Sequence, residues 1–130
     1  MVDKKVLKLT FDQLIAKKIE KDKNEVKFID IEVPSMGGTL TFSKPLEEEI
    51  LKCMDSISDG LTSSVLVAYD ALIYACCAYL KDEKLHEQLE IKDPENVVKT
   101  MFEVADRLQI GNELLKFSGM SNIGKKVKKQ

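Results

Sequence analysis

Phe11, Leu14, Ile15 and Ile19 recur at the three- and four-residue steps that set side chains on one side of a helix. Thr10 before them and Gln13 three residues on form the pattern of a capping box. Lys17, Lys18 and Lys21 sit where the negative end of the helix dipole favours cations. The pattern predicts a short helix that stops near Asp22–Asn24. From Val26 to Val33 the period changes to two, as in a half-buried strand. Two apolar residues meet at Phe28-Ile29, so the alternation slips and a bulge is expected there. Pro34 closes the strand, Ser35-Met36-Gly37-Gly38 reads as a turn, and Thr39–Phe42 reads as a second strand. An isolated hairpin is marginal in water, so its apolar face must pack on helices or pair with another chain.

The helical period then returns. Ser43 as a cap, Pro45 in the first turn and Glu47, Glu48 and Glu49 at the positive end of the dipole predict a helix start. Leu46, Ile50, Leu51, Met54 and Ile57 would form its apolar stripe and Gly60 its break. Leu61–Leu80 is the most apolar stretch and reads as a central helix. A short helix beginning near Lys81–Asp82 should turn Leu85 and Leu89 inward. Asp93-Pro94-Glu95 repeats the start signal, for a helix burying Val97, Val98, Met101, Phe102, Ala105 and Leu108 with Gly111 as its C-cap. Asn112 would cap a last helix carrying Leu114, Leu115 and Phe117 and ending at Gly119. Together these elements predict an α+β, mainly α fold: a bundle of about five or six helices with a hairpin at about residues 26–42 on its N-terminal side. One domain is expected over residues 1–119, followed by a loose basic tail over 120–130.

Composition narrows the classes. A chain of 130 residues fits one domain able to bury a core without disulfides or metal, and 44% apolar with 32% charged residues argues against disorder. The net charge of −2 gives no general pull toward nucleic acid or anionic lipid. Among 20 basic residues only Arg107 is an arginine, which disfavours specific DNA reading. The three cysteines include the adjacent Cys76 and Cys77, so a reducing, cytoplasmic compartment is expected. Met1 to Lys8 is too charged for a signal peptide, and the longest uninterrupted apolar stretch, Ala71 to Leu80, is far short of the ~20 residues a membrane span needs.

The search for chemistry finds no catalytic constellation, cofactor motif or metal site. His86 opens a zincin-like His86-Glu87-Gln88-Leu89-Glu90, but Glu90 stands where a second histidine belongs, and a solvated helix residue is the simpler reading. Cys76-Cys77 lacks the spacing of a redox or metal pair and reads as core. Asp70, inside the apolar segment, needs an exposed edge or a partner such as a lysine or Arg107. Gly37-Gly38 precedes a strand, so it reads as a hairpin turn and not a phosphate loop. The tail bearing Lys125, Lys126, Lys128 and Lys129 reads as solubilising, or as a nonspecific attraction to an acidic partner or nucleic acid.

Three stretches resemble the tail assembly chaperones of tailed phages and phage-tail-like particles, in particular the XkdN-like group. They are Val26–Pro34 leading through a glycine turn to Leu40-Thr41-Phe42; Asp70–Cys77 followed by a short segment ending in Leu89; and Asp93–Leu108 followed by Gly111–Gly119. The resemblance covers about residues 25–119 and lies in order and spacing; the aromatic-rich stretch that some members carry after the hairpin is thin here. It implies a cytoplasmic protein of the bacterial host that binds the tape-measure protein, keeps it soluble during tail assembly and is absent from the finished tail. The tail tube protein, a longer frameshifted form of the chain and further copies of the chain itself are the other partners it implies. Met36, Leu114, Leu115, Phe117 and Met120 are the expected partner-binding residues. The alternative is a small regulatory protein that holds nucleic acid with its lysine tail, and a small enzyme would need a polar cleft at Asp70 or His86.

Overall fold

The computed structural model describes residues 8–57 and 61–119. In chain order these form α1 (Phe11–Lys23), β1 (Phe28–Val33), β2 (Gly38–Ser43), α2 (Glu47–Ser56), α3 (Thr62–Cys76), α4 (Glu83–Gln88), α5 (Val97–Met101) and α6 (Val104–Phe117), with short 3₁₀ turns between some of them. The α+β, mainly α architecture expected from the sequence is therefore present. The expected break at Gly60 and the basic tail from Met120 lie outside the described residues.

β1 and β2 pair antiparallel in unbroken register from Phe28↔Ser43 to Val33↔Gly38. The expected bulge is absent, because the inward set is simply Ile29, Ile31 and Val33, while Phe28 stays on the outer face at 63% exposure. Gly37 closes the turn with φ 66°, a left-handed conformation that needs no Cβ. The inner face, with Leu40 and Phe42 from β2, packs into one core with α2, α3, α5 and α6. Phe42, Ile73, Leu80, Ile110 and Leu114 are essentially without exposure, each worth about 1.5–3 kcal/mol of burial.

The helix ends differ from expectation where tertiary partners intervene. Ser43 does not cap α2: it ends β2, and its hydroxyl donates to the Cys76 carbonyl at 3.3 Å. The start of α2 is held instead by Glu49, whose carboxylate accepts from the Leu46 amide at 2.8 Å, with Pro45 buried just before it. Cys53 is the buried residue of α2, whereas Leu46 and Leu51 face outward.

The central helix stops at Cys76 and does not reach Leu80, since Cys77 is extended. Carbonyls freed at this end are met by Ser43 and by the Lys81 ammonium, 2.9 Å from the Ala75 oxygen. After α4 the chain reverses through Glu90 at φ 55°, with the Ile91 amide bonded to the His86 carbonyl at 2.8 Å. That reversal turns Ile91 onto the core and leaves Leu89 exposed, contrary to expectation.

The long helix expected from Asp93 onward is broken at Phe102, whose extended backbone buries its ring and starts α6 at Val104. Ala105, expected in the core, is consequently exposed. Gly111 is no C-cap. It lies inside α6 and faces Tyr69, where a Cβ would stand 2.1 Å from the ring. Asn112 is likewise no cap, and its side-chain oxygen accepts from the Tyr69 hydroxyl at 2.6 Å.

Candidate functional site

α1 forms because its ends are satisfied locally. Thr10 Oγ1 accepts from the Gln13 amide at 3.2 Å, and Gln13 Oε1 accepts from the Thr10 amide at 3.0 Å, completing the expected capping box. Lys18 bonds Asp22 one turn on at 2.9 Å, and Lys21 and Lys23 occupy the last turn. What the periodicity does not disclose is the environment. α1 buries none of its residues. Its stripe of Phe11, Leu14, Ile15 and Ile19 is 75%, 55%, 45% and 57% exposed, so the apolar face meets solvent and not the core.

Lys18 and Asp22 lie one and two turns beyond Phe11, Leu14 and Ile15 on the same side of the helix. There the face opens into a cleft of about 570 Å³ lined by Lys18, Lys21, Asp22, Val26, Lys44 and Phe117. Lys44 reaches Glu25 at 3.6 Å beside it. Val26 and Phe28, at 61% and 63% exposure, add apolar surface where the chain enters the hairpin. Scattered exposed apolar residues are ordinary, whereas a run of four on one side of a helix, left bare among the described residues, has the character of an interaction surface.

The residues expected to bind a partner are dispersed. Met36 is half exposed at the hairpin tip, at 49%. Phe117 is half-buried and lines the cleft. Leu114 and Leu115 are corrected to core residues, at 0% and 8%, because α6 turns that side against α3 and the hairpin. Met120 lies outside the described residues. The α1 stripe was legible as an apolar face but not as a free one. The clue lay in its setting, a single narrow stripe on an otherwise strongly charged helix.

The polar candidates are structural. Arg107 grips Asp70 with two donors, Nε to Oδ1 at 2.8 Å and Nη2 to Oδ2 at 2.6 Å, locking α3 to α6. His86, read as solvated, is half-buried with Nε2 2.7 Å from the Leu80 carbonyl, so that nitrogen carries the proton and donates. Cys53, Cys76 and Cys77 are free and buried. Burial pushes the Cys53 thiol to about 11, and burial with the nearby Glu49 charge pushes Cys76 to about 12, so both remain protonated and poorly nucleophilic at neutral pH.

Asp106, which sequence reasoning passed over, is 1% exposed and accepts from the Ser35 amide at 3.1 Å, the Glu103 amide at 3.0 Å and the Ser35 hydroxyl. Burial alone would raise its carboxyl, but these bonds outweigh it and hold the pKa below the ordinary value of 3.8. The Glu103-x-x-Asp106 spacing was the available signal. Among the described residues, no group of three or more histidine, cysteine or acidic side chains is placed to hold a metal, and no helix is long and apolar enough to cross a membrane. Compared with family models, curated proteins and solved structures, the chain matches none.

Proposed function

We propose that this chain is a tail assembly chaperone of a phage or phage-tail-like particle, holding helical segments of a tape-measure protein soluble until the tube assembles. The observation that carries the reading is the apolar face of α1, exposed among the described residues beside a cleft, on a body whose other elements share one core. A long apolar helical client needs apolar surface to receive its stripe, and dense charge around that surface to keep the complex dissolved. Both are present: the stripe is bordered by Asp12, Lys17 and Lys21, with Lys18 within it, all exposed. The order of hairpin, central apolar helix and acid-proline turn adds the resemblance described above.

Co-expression with a tape-measure protein encoded near this chain tests the proposal. The soluble fraction of that protein should rise several-fold with the wild-type chain, and Leu14→Asp together with Ile19→Asp should abolish the gain. Equal solubility with and without the chain removes the reading.

A further inference from the structure

The two edges of the hairpin are unlike. In an antiparallel pair, residues that exchange hydrogen bonds alternate with residues whose amide and carbonyl point away from the partner strand. The Lys44 amide donates to the Lys27 carbonyl at 2.8 Å, so the bonded pairs continue in register through Ile29↔Phe42 and Ile31↔Leu40. Asp30 and Glu32 therefore turn their backbone groups out of the β1 edge, and Thr39 and Thr41 turn theirs out of the β2 edge. The β1 edge is guarded, since its strand carries two carboxylates and Gln109 of α6 donates to the Glu32 carbonyl at 3.3 Å. Nothing comparable meets β2. Among the described residues, no hydrogen-bond partner reaches the Thr39 or Thr41 amides or carbonyls, and both residues are exposed.

Free edges are ordinarily blunted by a lysine, a proline or a bulge. β2, from Gly38 to Ser43, has none of these and not one charge, in a chain that is 32% charged. We infer that the free edge of β2 is a docking site for an extended, uncharged strand of another protein, in which apolar residues alternate with threonine or serine. The backbone decides the shape of the occupant, because donors and acceptors recurring at every second residue are matched by a strand and not by a helix. The two faces decide its side chains. Leu40 points inward and is only half-buried, so an apolar residue beside it completes its cover. Thr39 and Thr41 lie on the exposed face, where hydroxyl-bearing neighbours pair well across strands.

Other occupants fit less well. The chain's own ends carry Asp3, Lys4 and Lys5 on one side and Lys125, Lys126 and further lysines on the other, so neither supplies an uncharged alternating strand. A second copy pairing edge to edge would set Asp30 and Glu32 of both molecules on one sheet face, where like charges oppose association. The open stretch is also short, because the Ser43 hydroxyl ties the far end of β2 to the Cys76 carbonyl. Binding is therefore weak and reversible. It concerns an extended partner, where α1 offers its side to a helix, so it stands independently of the client reading.

Amide hydrogen exchange read residue by residue by NMR on the full chain tests the site, with an acetylated peptide of alternating threonine and valine as the probe. In the dilute free chain the Thr39 and Thr41 amides should exchange far faster than those of Leu40 and Phe42, which are bonded to β1. The peptide at about 1 mM should slow Thr39 and Thr41 about tenfold, as for a Kd of about 100 μM, whereas the fully N-methylated peptide should not. Thr41→Pro and Thr39→Pro each delete an outward donor without touching a hairpin bond. Each should abolish the slowing at the other position while α3 and α6 amides stay protected; if both unfold the hairpin, the comparison of the two peptides decides. Thr39 and Thr41 amides already protected in the dilute chain overturn the inference in favour of the chain's own end. Protection that grows with chain concentration alone overturns it in favour of a second copy. Equal slowing by both peptides, slowing by neither, or slowing that survives a folded proline variant overturns it outright.

Discussion

Asp106 and Gly111 are small features of α6 on which much of the packing turns. Asp106 gathers three donors from the hairpin turn and from the start of its own helix, so it fastens two elements that meet nowhere near each other in sequence. Asp106→Ala strands those donors and should cost about 2–3 kcal/mol in urea unfolding. Because the folded carboxyl is held below 3.8, its contribution is fully present above that pH and is lost as pH falls through the lowered folded value. Wild type should therefore lose stability below about pH 4 more steeply than Asp106→Asn, whose side chain does not titrate there. Gly111 argues in the opposite direction from propensity. Alanine in an exposed helix interior gains about 1 kcal/mol over glycine, but here a Cβ would meet the Tyr69 ring at 2.1 Å. Gly111→Ala should destabilise by about 1–3 kcal/mol as an overpacked core does, and a smaller residue at position 69 should recover part of the loss.

Between elements, the Asp70–Arg107 pair is the strongest polar tie, with side chains 9% and 11% exposed. Removing one partner leaves a buried charge unpaired, so Arg107→Met should cost about 3–5 kcal/mol, whereas Asp70→Leu with Arg107→Met together should cost far less. A double-mutant cycle by thermal or urea unfolding reads that difference directly. This pairing was one of the alternatives the sequence offered for Asp70, and the capping box of α1 and the two-residue period of the hairpin were legible too, since each depends on neighbours in the chain. The breaks at Cys77 and Phe102 were not. Both segments are apolar enough to continue as helix; the first stops where Ser43, from a distant position, and Lys81, six residues on, meet the Cys76 and Ala75 carbonyls, and the second restarts where Asp106 accepts from the Glu103 amide while held by the distant Ser35. The same limit hid the candidate surface. A periodic stripe announces that one side of a helix is apolar, but only the folded neighbours decide that the stripe on α6 is buried and the one on α1 is bare.

The whole molecule thus combines a knitted body with a helix that contributes nothing to its core. Thr10→Ala should remove about 1 kcal/mol of local helix stability while leaving the global unfolding midpoint of the monomer nearly unchanged. Hydrogen exchange would resolve the two, with α1 amides exchanging by local opening and the α3 and α6 amides only by global unfolding. Loss of global stability matching the local loss would mean that α1 is coupled to the body after all. Decoupling of this kind has an evolutionary corollary. Substitutions at Phe11, Leu14, Ile15 or Ile19 are invisible to selection for foldedness, so the only filter on them is whatever settles against that side, and the helix can be rewritten for a new neighbour while the scaffold behind it stays as it is.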